Sequence, residues 1–123
     1  MTKPNYDPSF ISELTALRRD LHRAPELSCE ETETAKRMAA WLADGGAEVN
    51  VIDPVAMLLA DGSPIEARVD LDVSRQRFAD LRAAPSGIHL MPGFTAGDAA
   101  GKLVILGRNG SDYSAAVLAA CLG

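Results

Sequence analysis

A candidate anion site lies near the carboxyl end of the chain, where an apolar strand is followed by a helix of small residues. The run 102–106, KLVIL, reads as a buried strand, and Gly107 and Gly110 let the backbone turn before the helix. Arg108 stands in this turn, beside the unpaired amides that begin any helix. A cation next to a helix N-terminus is typical of a carboxylate or phosphate site.

Two side chains of the same corner could act in either of two ways. Ser111 or Asp112 can cap the helix that follows the turn, which we expect to run from 111 to 121. The spacing alone is equally compatible with an ordinary strand-turn-helix corner in which these two residues only cap.

Two longer motifs favour the functional interpretation. Residues 91–97, MPGFTAG, and 107–116, GRNGSDYSAA, closely resemble the aspartate kinase family, in particular its bifunctional aspartokinase-homoserine dehydrogenase type. The resemblance extends upstream without a gap to about Val49. It implies an amino-acid-kinase fold and ATP-dependent phosphorylation of the side-chain carboxylate of aspartate, in amino-acid biosynthesis.

The resemblance also implies roles for four residues. It places Arg108 on a carboxylate of the substrate aspartate, Phe94 and Ser111 in the same pocket, and Asp112 as a catalytic residue that helps to position a lysine and phosphate groups. ATP and Mg²⁺ are the implied cofactors, with no residue of this chain assigned to the nucleotide.

The chain departs from this family in two important respects. The family's early K-F-G-G-T-S motif, whose lysine neutralises the transferring phosphoryl group, has no counterpart in residues 1–48, and the family's later nucleotide-binding segment is absent. Because phosphoryl transfer depends on positioning and charge stabilisation, we expect an incomplete kinase that is inactive by itself. A non-catalytic α/β fragment is the alternative.

The first 48 residues follow a different pattern. Apolar residues at 10, 14, 17 and 21 make one face of a helix over 9–23, which Pro25 ends. Ser28 and Glu31 read as a capping box that begins a second helix over 29–44, with the pair Gly45 and Gly46 stopping it.

The amino-acid sequence of this segment resembles the N-terminus of the M20 family of metal-dependent amidohydrolases and peptidases. The resemblance rests on LRRDLHR at 17–23 and PELS at 25–28, and it carries no catalytic residue. His22 and His89 are the two histidines, and neither lies in a cluster that could supply the three ligands of a zinc site. We therefore predict no metal site, with His22 at an exposed helix end and His89 in a strand. An M20-like hydrolase is a weaker alternative.

The sequence near 41–51 is compatible with both resemblances. A junction between the two segments could therefore lie there without interrupting a predicted helix or strand. We predict a helical segment, 1–48, joined to an aspartokinase-like α/β segment, 49–123, as one folded unit. We therefore hypothesise that the chain is a chimera of two families or the remnant of a gene.

The composition of the chain excludes several classes of protein. The chain has 123 residues, of which 47% are hydrophobic and 24% charged, with a formal net charge of −5. An acidic balance argues against nucleic-acid binding. No apolar run approaches the roughly 20 residues of a membrane span, and no signal-peptide core is present, so we expect a cytoplasmic protein without a membrane partner. Cys29 and Cys121 do not suggest a disulfide framework.

The order of predicted elements indicates a partial three-layer αβα sheet of the amino-acid-kinase type, mainly parallel, with an N-terminal helix pair. Beyond the elements already given, we predict strands near 47–52, 65–71 and 88–91, a helical turn over 54–60 and a helix over 72–83. A partial sheet leaves strand edges uncovered, so we expect a homo-oligomer or a loosely packed monomer.

Overall fold

The computed structural model describes residues 5–63 and 65–123, so the first four residues of the predicted helical segment and Pro64 lie outside the described residues. The chain forms two compact units, 1–38 and 39–123. Six helices are described, α1 Pro8–Arg23, α2 Thr32–Asp44, α3 Pro54–Met57, α4 Leu71–Arg77, α5 Ala79–Ala83 and α6 Gly110–Leu122. Four strands are described, β1 Val49–Val51, β2 Ile88–Leu90, β3 Thr95–Gly97 and β4 Leu103–Ile105.

Helix α1 matches the helix predicted over 9–23. The Asp7 carboxylate accepts a hydrogen bond from the Ser9 amide at 2.9 Å, and Pro8 occupies the first helical position, where its missing N–H costs nothing. The helix ends at Arg23, and the predicted exposure of His22 near this end is confirmed.

The start of α2 differs from the predicted capping box. Cys29 has φ of 69°, which breaks helical continuity, and the helix begins at Thr32 rather than at residue 29. The Glu26 carboxylate takes the place predicted for Ser28, accepting the backbone amides of Glu33 at 3.0 Å and Thr34 at 2.5 Å. Hydrogen bonds from the Thr34 side chain and from these two amides lower the pKa of Glu26. The sequence did not indicate Glu26 as the cap of α2. Whether its carboxylate reaches the helix start depends on the conformation of the turn before the helix.

The strands form two separate pairs rather than one mainly parallel sheet. Strands β1 and β2 are parallel, with Val49 opposite Ile88, and β3 and β4 are antiparallel, with Ala96 opposite Val104. Strand β3 was not predicted. It pairs with β4 because the Asp98 carboxylate accepts the amides of Ala100 and Lys102, each at 2.9 Å, and closes a tight hairpin between them.

Two other predicted elements are shorter than expected. The strand predicted over 65–71 is reduced to one bridge between Val69 and Ala60. The helix predicted over 72–83 is divided into α4 and α5 at Phe78, whose side chain is fully buried. The division is slight, because the Phe78 amide still donates to the Ser74 carbonyl at 3.3 Å and the Arg82 amide donates to the Phe78 carbonyl at 3.0 Å.

The core of the second unit lies around α6. Gly110, Ser114, Val117 and Cys121 make the buried face of this helix, at steps of four, three and four residues. Cys121 is fully buried on this face, and burial raises the pKa of its thiol. An Arg82 guanidinium nitrogen donates to the Cys121 carbonyl at 2.7 Å, which holds the carboxyl end of α6 in place.

His89 lies in β2, as predicted, and its Nδ1 atom is buried without a hydrogen-bond partner among the described residues. Across residues 5–63 and 65–123, no helix is long and apolar enough to cross a bilayer.

Candidate functional site

The predicted corner between a strand and a small-residue helix is present, between β4 and α6. Gly107 has φ of 81° and Asn109 has φ of 56°, and both lie in the left-handed region that turns the chain sharply. The Gly107 carbonyl accepts the Gly110 amide at 3.1 Å. This turn directs the start of α6 back toward the carboxyl end of β4.

Capping by Ser111 or Asp112 is wrong. The helix begins at Gly110, and Asn109 occupies the cap position without a side-chain hydrogen bond. Ser111 and Asp112 lie instead in the first helical turn, both exposed, and within the described residues their backbone amides have no hydrogen-bond partner. The positive end of the helix dipole and two open amides therefore face solvent, which is the arrangement that favours an anion.

Phe94 packs against this helix start. A Cβ atom added to Gly110 would come within 2.7 Å of Phe94 Cδ2, and one added to the preceding residue, Gly93, would come within 3.2 Å of Ser111 Oγ. Only glycine at these positions permits so close an approach. The structure thus brings the predicted site residues Phe94 and Ser111 to the same end of α6.

The backbone of Phe94 is held in an unusual conformation by a buried serine. Phe94 has φ of 79°, a conformation that costs a bulky residue about 1–3 kcal/mol. Its amide donates to Ser114 Oγ at 2.8 Å, and the same hydroxyl donates to the Gly110 carbonyl at 2.6 Å. Ser114 therefore ties the 93–94 loop to the first turn of α6.

Arg108 lines a cavity of about 310 Å³ beside the corner. The other lining residues are Glu66, Ala67, Arg68, Leu106 and Tyr113. Arg108 is exposed, and among the described residues its side chain makes no hydrogen bond or ion pair. Its guanidinium is accordingly available to a ligand, but Phe94, Ser111 and Asp112 do not line this cavity.

The opposite wall of the cavity is fixed by backbone hydrogen bonds. The Ala67 amide donates to the Ile105 carbonyl at 3.3 Å, which attaches this segment to β4. The Val69 amide donates to Tyr113 Oη at 3.1 Å, which attaches it to α6. The Arg68 amide donates to Asp61 Oδ1 at 3.2 Å. The backbone of this wall is therefore attached at three points.

Sequence reasoning missed four residues of this region. Tyr113 and Ser114 stand inside the GRNGSDYSAA motif, and a serine on the buried face of an apolar helix could have been a signal, because it must bond to backbone. Glu66 and Arg68 carried no such signal, since they lie about 40 residues from Arg108 in the chain.

The described residues do not fit a magnesium nucleotide. Within 5–63 and 65–123 no three His, Cys, Asp or Glu side chains converge on a point where a metal ion could bind. Asp112 is a single exposed carboxylate, whereas Mg²⁺ sites combine carboxylates with bound phosphates. We therefore derive no phosphoryl-transfer step from these residues.

Comparison with known proteins places the chain in a family. The model of the amino acid kinase family matches residues 9–123. The chain belongs to the amino acid kinase family. The match begins within α1, so this family assignment also covers most of the segment that resembles M20 enzymes.

Among amino acid kinase family relatives, the bifunctional aspartokinase/homoserine dehydrogenase of Haemophilus influenzae is 51% identical over 86 residues, which are 70% of this chain and 11% of that protein. The chain thus spans about a tenth of the length of this curated relative. The resemblance to aspartokinases is confirmed, and the chain corresponds to part of such a protein.

Two solved structures share the fold. E. coli aspartokinase III in complex with lysine and aspartate has a TM-score of 0.67 and 21% identity, covering 93% of this chain and 28% of that one. The same enzyme in complex with aspartate and ADP has a TM-score of 0.66 and 21% identity, covering 96% and 30%. The predicted α/β amino-acid-kinase fold is confirmed.

A weaker match accords with the M20 resemblance. The N-acetylcysteine deacetylase of Bacillus subtilis is 35% identical over 79 residues, which are 64% of this chain and 20% of the deacetylase. Those 79 residues exceed the length of segment 1–48, and the 86 residues matched to the H. influenzae protein exceed that of segment 49–123. Both similarities therefore cross the predicted junction, and the division at 48/49 stays a prediction.

Proposed function

We propose that this chain carries an aspartate-recognition region of an aspartokinase. The carrying observation is the unpaired Arg108 guanidinium, which lies in the turn between β4 and the first, open amides of α6. A guanidinium and helix-end amides are suited to bind a carboxylate. The relationship to aspartokinases supports aspartate as the ligand.

In this proposal each predicted site residue has a separate task. Arg108 binds one carboxylate of aspartate, Ser111 donates from its hydroxyl at the helix start, and the Phe94 ring forms an apolar wall over Gly110. Asp112 is placed in the first turn, where its carboxylate would face the reacting end of the substrate.

The kinase reaction that the family relationship suggests needs ATP and Mg²⁺. Because the described residues do not fit these groups, the proposal is limited to aspartate binding, and the chain alone is inactive as a kinase. The alternative is a non-catalytic α/β fragment that binds no aspartate. The next experiment distinguishes this alternative from the proposed aspartate-binding region.

Replacing Arg108 with alanine is expected to weaken aspartate binding about tenfold, because a charge-assisted hydrogen bond at an exposed site contributes about 1–2 kcal/mol. Isothermal calorimetry of aspartate against the purified chain measures this loss. Arg19→Ala is the matched control, since Arg19 is an exposed arginine of α1 without a hydrogen bond or ion pair among the described residues. Wild-type chain that binds no aspartate, or binds it equally after Arg108→Ala, would contradict the proposal.

A coupled assay for ATP turnover in the presence of aspartate is expected to show no rate above the blank. A measurable rate would contradict the proposal that the chain alone is inactive as a kinase.

We further propose that the chain self-associates through the outer face of the β3–β4 hairpin. Leu103 and Ile105 lie on one side of β4, and both are more than a third exposed. Apolar side chains that are exposed together on one face favour burial against a second copy.

Sedimentation velocity is expected to show a mass that rises above 13.0 kDa with concentration. The double variant Leu103→Lys, Ile105→Lys is expected to stay monomeric, because a lysine on an edge strand opposes pairing. Leu27→Lys is the control, since Leu27 is an exposed leucine outside the hairpin. A wild-type mass of 13.0 kDa at every concentration would count against self-association.

A further inference from the structure

We infer that the outer edge of strand β1 is a docking site for an extended segment of a partner protein. The segment adds to the β1–β2 pair as a third strand, with apolar residues at alternate positions and basic residues at its two ends. This docking edge shares no residue with the proposed aspartate region or with the outer face of the β3–β4 hairpin.

The main-chain groups of the docking edge are open. In a parallel pair, alternate residues of one strand bond to the other strand. The Glu48 carbonyl accepts an amide of β2 at 2.7 Å, and the Ile52 amide donates to a carbonyl of β2 at 2.8 Å, so residues 48, 50 and 52 face β2. Val49 and Val51 therefore direct their amides and carbonyls to the opposite edge, where no main-chain group of the described residues bonds to them. An open edge of this kind is a template for one more strand.

The side chains beside this edge are apolar and incompletely covered. Val49 lies opposite Ile88 and Val51 lies opposite Leu90, and residues opposite each other in a parallel pair point to the same face. On this face Val51 is 56% exposed and Ile88 is 41% exposed. Because neighbouring side chains on one face of a sheet stabilise each other, an added strand with apolar residues at every second position fits this face.

Acidic residues flank the docking edge. Glu48 precedes β1 directly, and Asp53 follows it with one residue between. Both residues are exposed, and within 5–63 and 65–123 neither forms an ion pair. Carboxylates at both ends of a strand attract lysine or arginine at the ends of an added segment.

The same charges oppose the pairing of β1 with a second copy of itself. Two copies joined antiparallel at this edge would bring Glu48 of one chain close to Asp53 of the other, and like charges across a strand pair are destabilising. The formal net charge of −5 adds to this repulsion. The occupant that fits the edge is therefore a different protein with a basic segment.

The strand is already held in its paired conformation. Ile52 is buried in the core, and Asn50 Nδ2 donates to the Ser86 carbonyl at 2.9 Å across the pair. Directly after the strand, the Asp53 carboxylate accepts the Val55 amide and begins α3. An edge that is ordered before binding loses little conformational entropy when a segment docks.

The experiment measures the binding of a fluorescently labelled peptide by anisotropy. The probe is acetyl-Lys-Val-Thr-Val-Thr-Val-Lys-amide, which has valine at alternate positions and a lysine at each end. One control peptide has glutamate in place of both lysines. The other has N-methyl groups on alternate backbone amides, so that it cannot form the ladder of hydrogen bonds.

Val51→Pro is expected to weaken binding of the probe at least about tenfold, because it removes an open amide and puts a ring at the edge. Proline is tolerated at a strand edge whose amide faces outward, and far-UV circular dichroism checks the fold. Val51→Thr is the matched control, since threonine keeps the amide and the branched side chain, and it is expected to weaken binding less than about threefold.

Glu48→Gln is expected to weaken the lysine probe about twofold and to improve binding of the glutamate peptide, as is usual for an exposed charge pair. Glu66→Gln, a change at an exposed glutamate outside the docking edge, is the control and should alter neither affinity.

Hydrogen exchange of the wild-type chain locates the peptide without relying on a variant. Addition of the probe is expected to slow exchange at the amides of Val49 and Val51 and to leave the amides of α6 unchanged. The N-methylated peptide is expected to give no such protection.

Several results would overturn the inference. One is a wild-type chain that binds no probe up to about 1 mM, the limit of weak association. Others are equal affinities in Val51→Pro and Val51→Thr, no exchange protection at Val49 and Val51, or a glutamate peptide that binds as tightly as the probe. Self-association that persists in the hairpin double variant and is lost in Val51→Pro would show that a second copy occupies the edge instead. None of these results bears on the calorimetry with aspartate, so the proposed function stands or fails separately.

Discussion

Gly97→Ala is expected to destabilise the second unit by about 3 kcal/mol or more, because the new methyl group would collide with backbone. A Cβ atom on Gly97 would lie 2.1 Å from the carbonyl oxygen of Val55 and 3.0 Å from its carbonyl carbon. Neither partner can move easily. Gly97 donates to the Leu58 carbonyl at 3.0 Å and accepts from the Ala60 amide at 2.8 Å, so it is held by hydrogen bonds on the strand side.

Helix α3 is also fixed. The Asp53 carboxylate caps it by accepting the Val55 amide at 2.9 Å, and Pro54 is buried. Since small domains are stable by about 5–15 kcal/mol, a loss of this size would lower the urea midpoint substantially.

Gly62→Ala is the matched control for this prediction. A Cβ atom on Gly62 would meet no atom within 4 Å, and Gly62 does not have a positive φ. We expect its midpoint to be unchanged or slightly higher, because alanine reduces the conformational entropy of the unfolded chain. Similar midpoints for Gly97→Ala and wild type, measured by circular dichroism in urea, would show that α3 does not pack on β3 as described.

Ser114→Ala is expected to cost about 2–4 kcal/mol and to release the loop that carries Phe94. The substitution removes the buried bond to the Gly110 carbonyl and leaves the part-buried amide of Phe94 without its acceptor. A buried polar group without a partner costs about 1–3 kcal/mol, and a part-buried one costs less. Without that acceptor, the positive φ of Phe94 is no longer compensated. The ring would then leave its place over Gly110.

Amide hydrogen exchange and urea unfolding together test this expectation. Exchange at the Phe94 amide is expected to accelerate more than at the amides of β4, because the loop opens locally. Ser111→Ala is the control for stability, since Ser111 is an exposed serine of the same helix and should change unfolding by less than about 0.5 kcal/mol. Unchanged exchange at Phe94 in Ser114→Ala would mean that the hydroxyl does not hold the loop.

Elements with local signals were predicted well. Helix α1 was predicted from the helical spacing of apolar residues 10, 14, 17 and 21. The helical turn predicted over 54–60 is present as α3, which is shorter, and there the Asp53 carboxylate accepts the Val55 amide and Pro54 is already in helical geometry. The strand before Gly107 was predicted from its continuous apolar run and the helix after it from its small residues, and both are present. The predicted burial of this strand is wrong, because Leu103 and Ile105 are exposed.

Elements that depend on distant contacts were predicted poorly. Strand β3 is three residues long and exists because β4 and the segment after α3 pair with it. Ser28 looked like a helix cap, but the positive φ of Cys29 moved the helix start beyond its reach and left the place to Glu26. The helix predicted over 72–83 is divided at Phe78, whose ring is buried in the core, and no local pattern marked this position.

The sequence by itself determined the family and the position of the corner that carries Arg108, because motifs and periodic patterns are local properties of a chain. Only the tertiary structure decided what surrounds that arginine. Glu66 and Arg68 line the same cavity as Arg108 because backbone hydrogen bonds from Ala67 to β4 and from Val69 to Tyr113 hold their segment beside the strand. Contacts between residues so far apart in the chain are set by packing, and no local pattern encodes them.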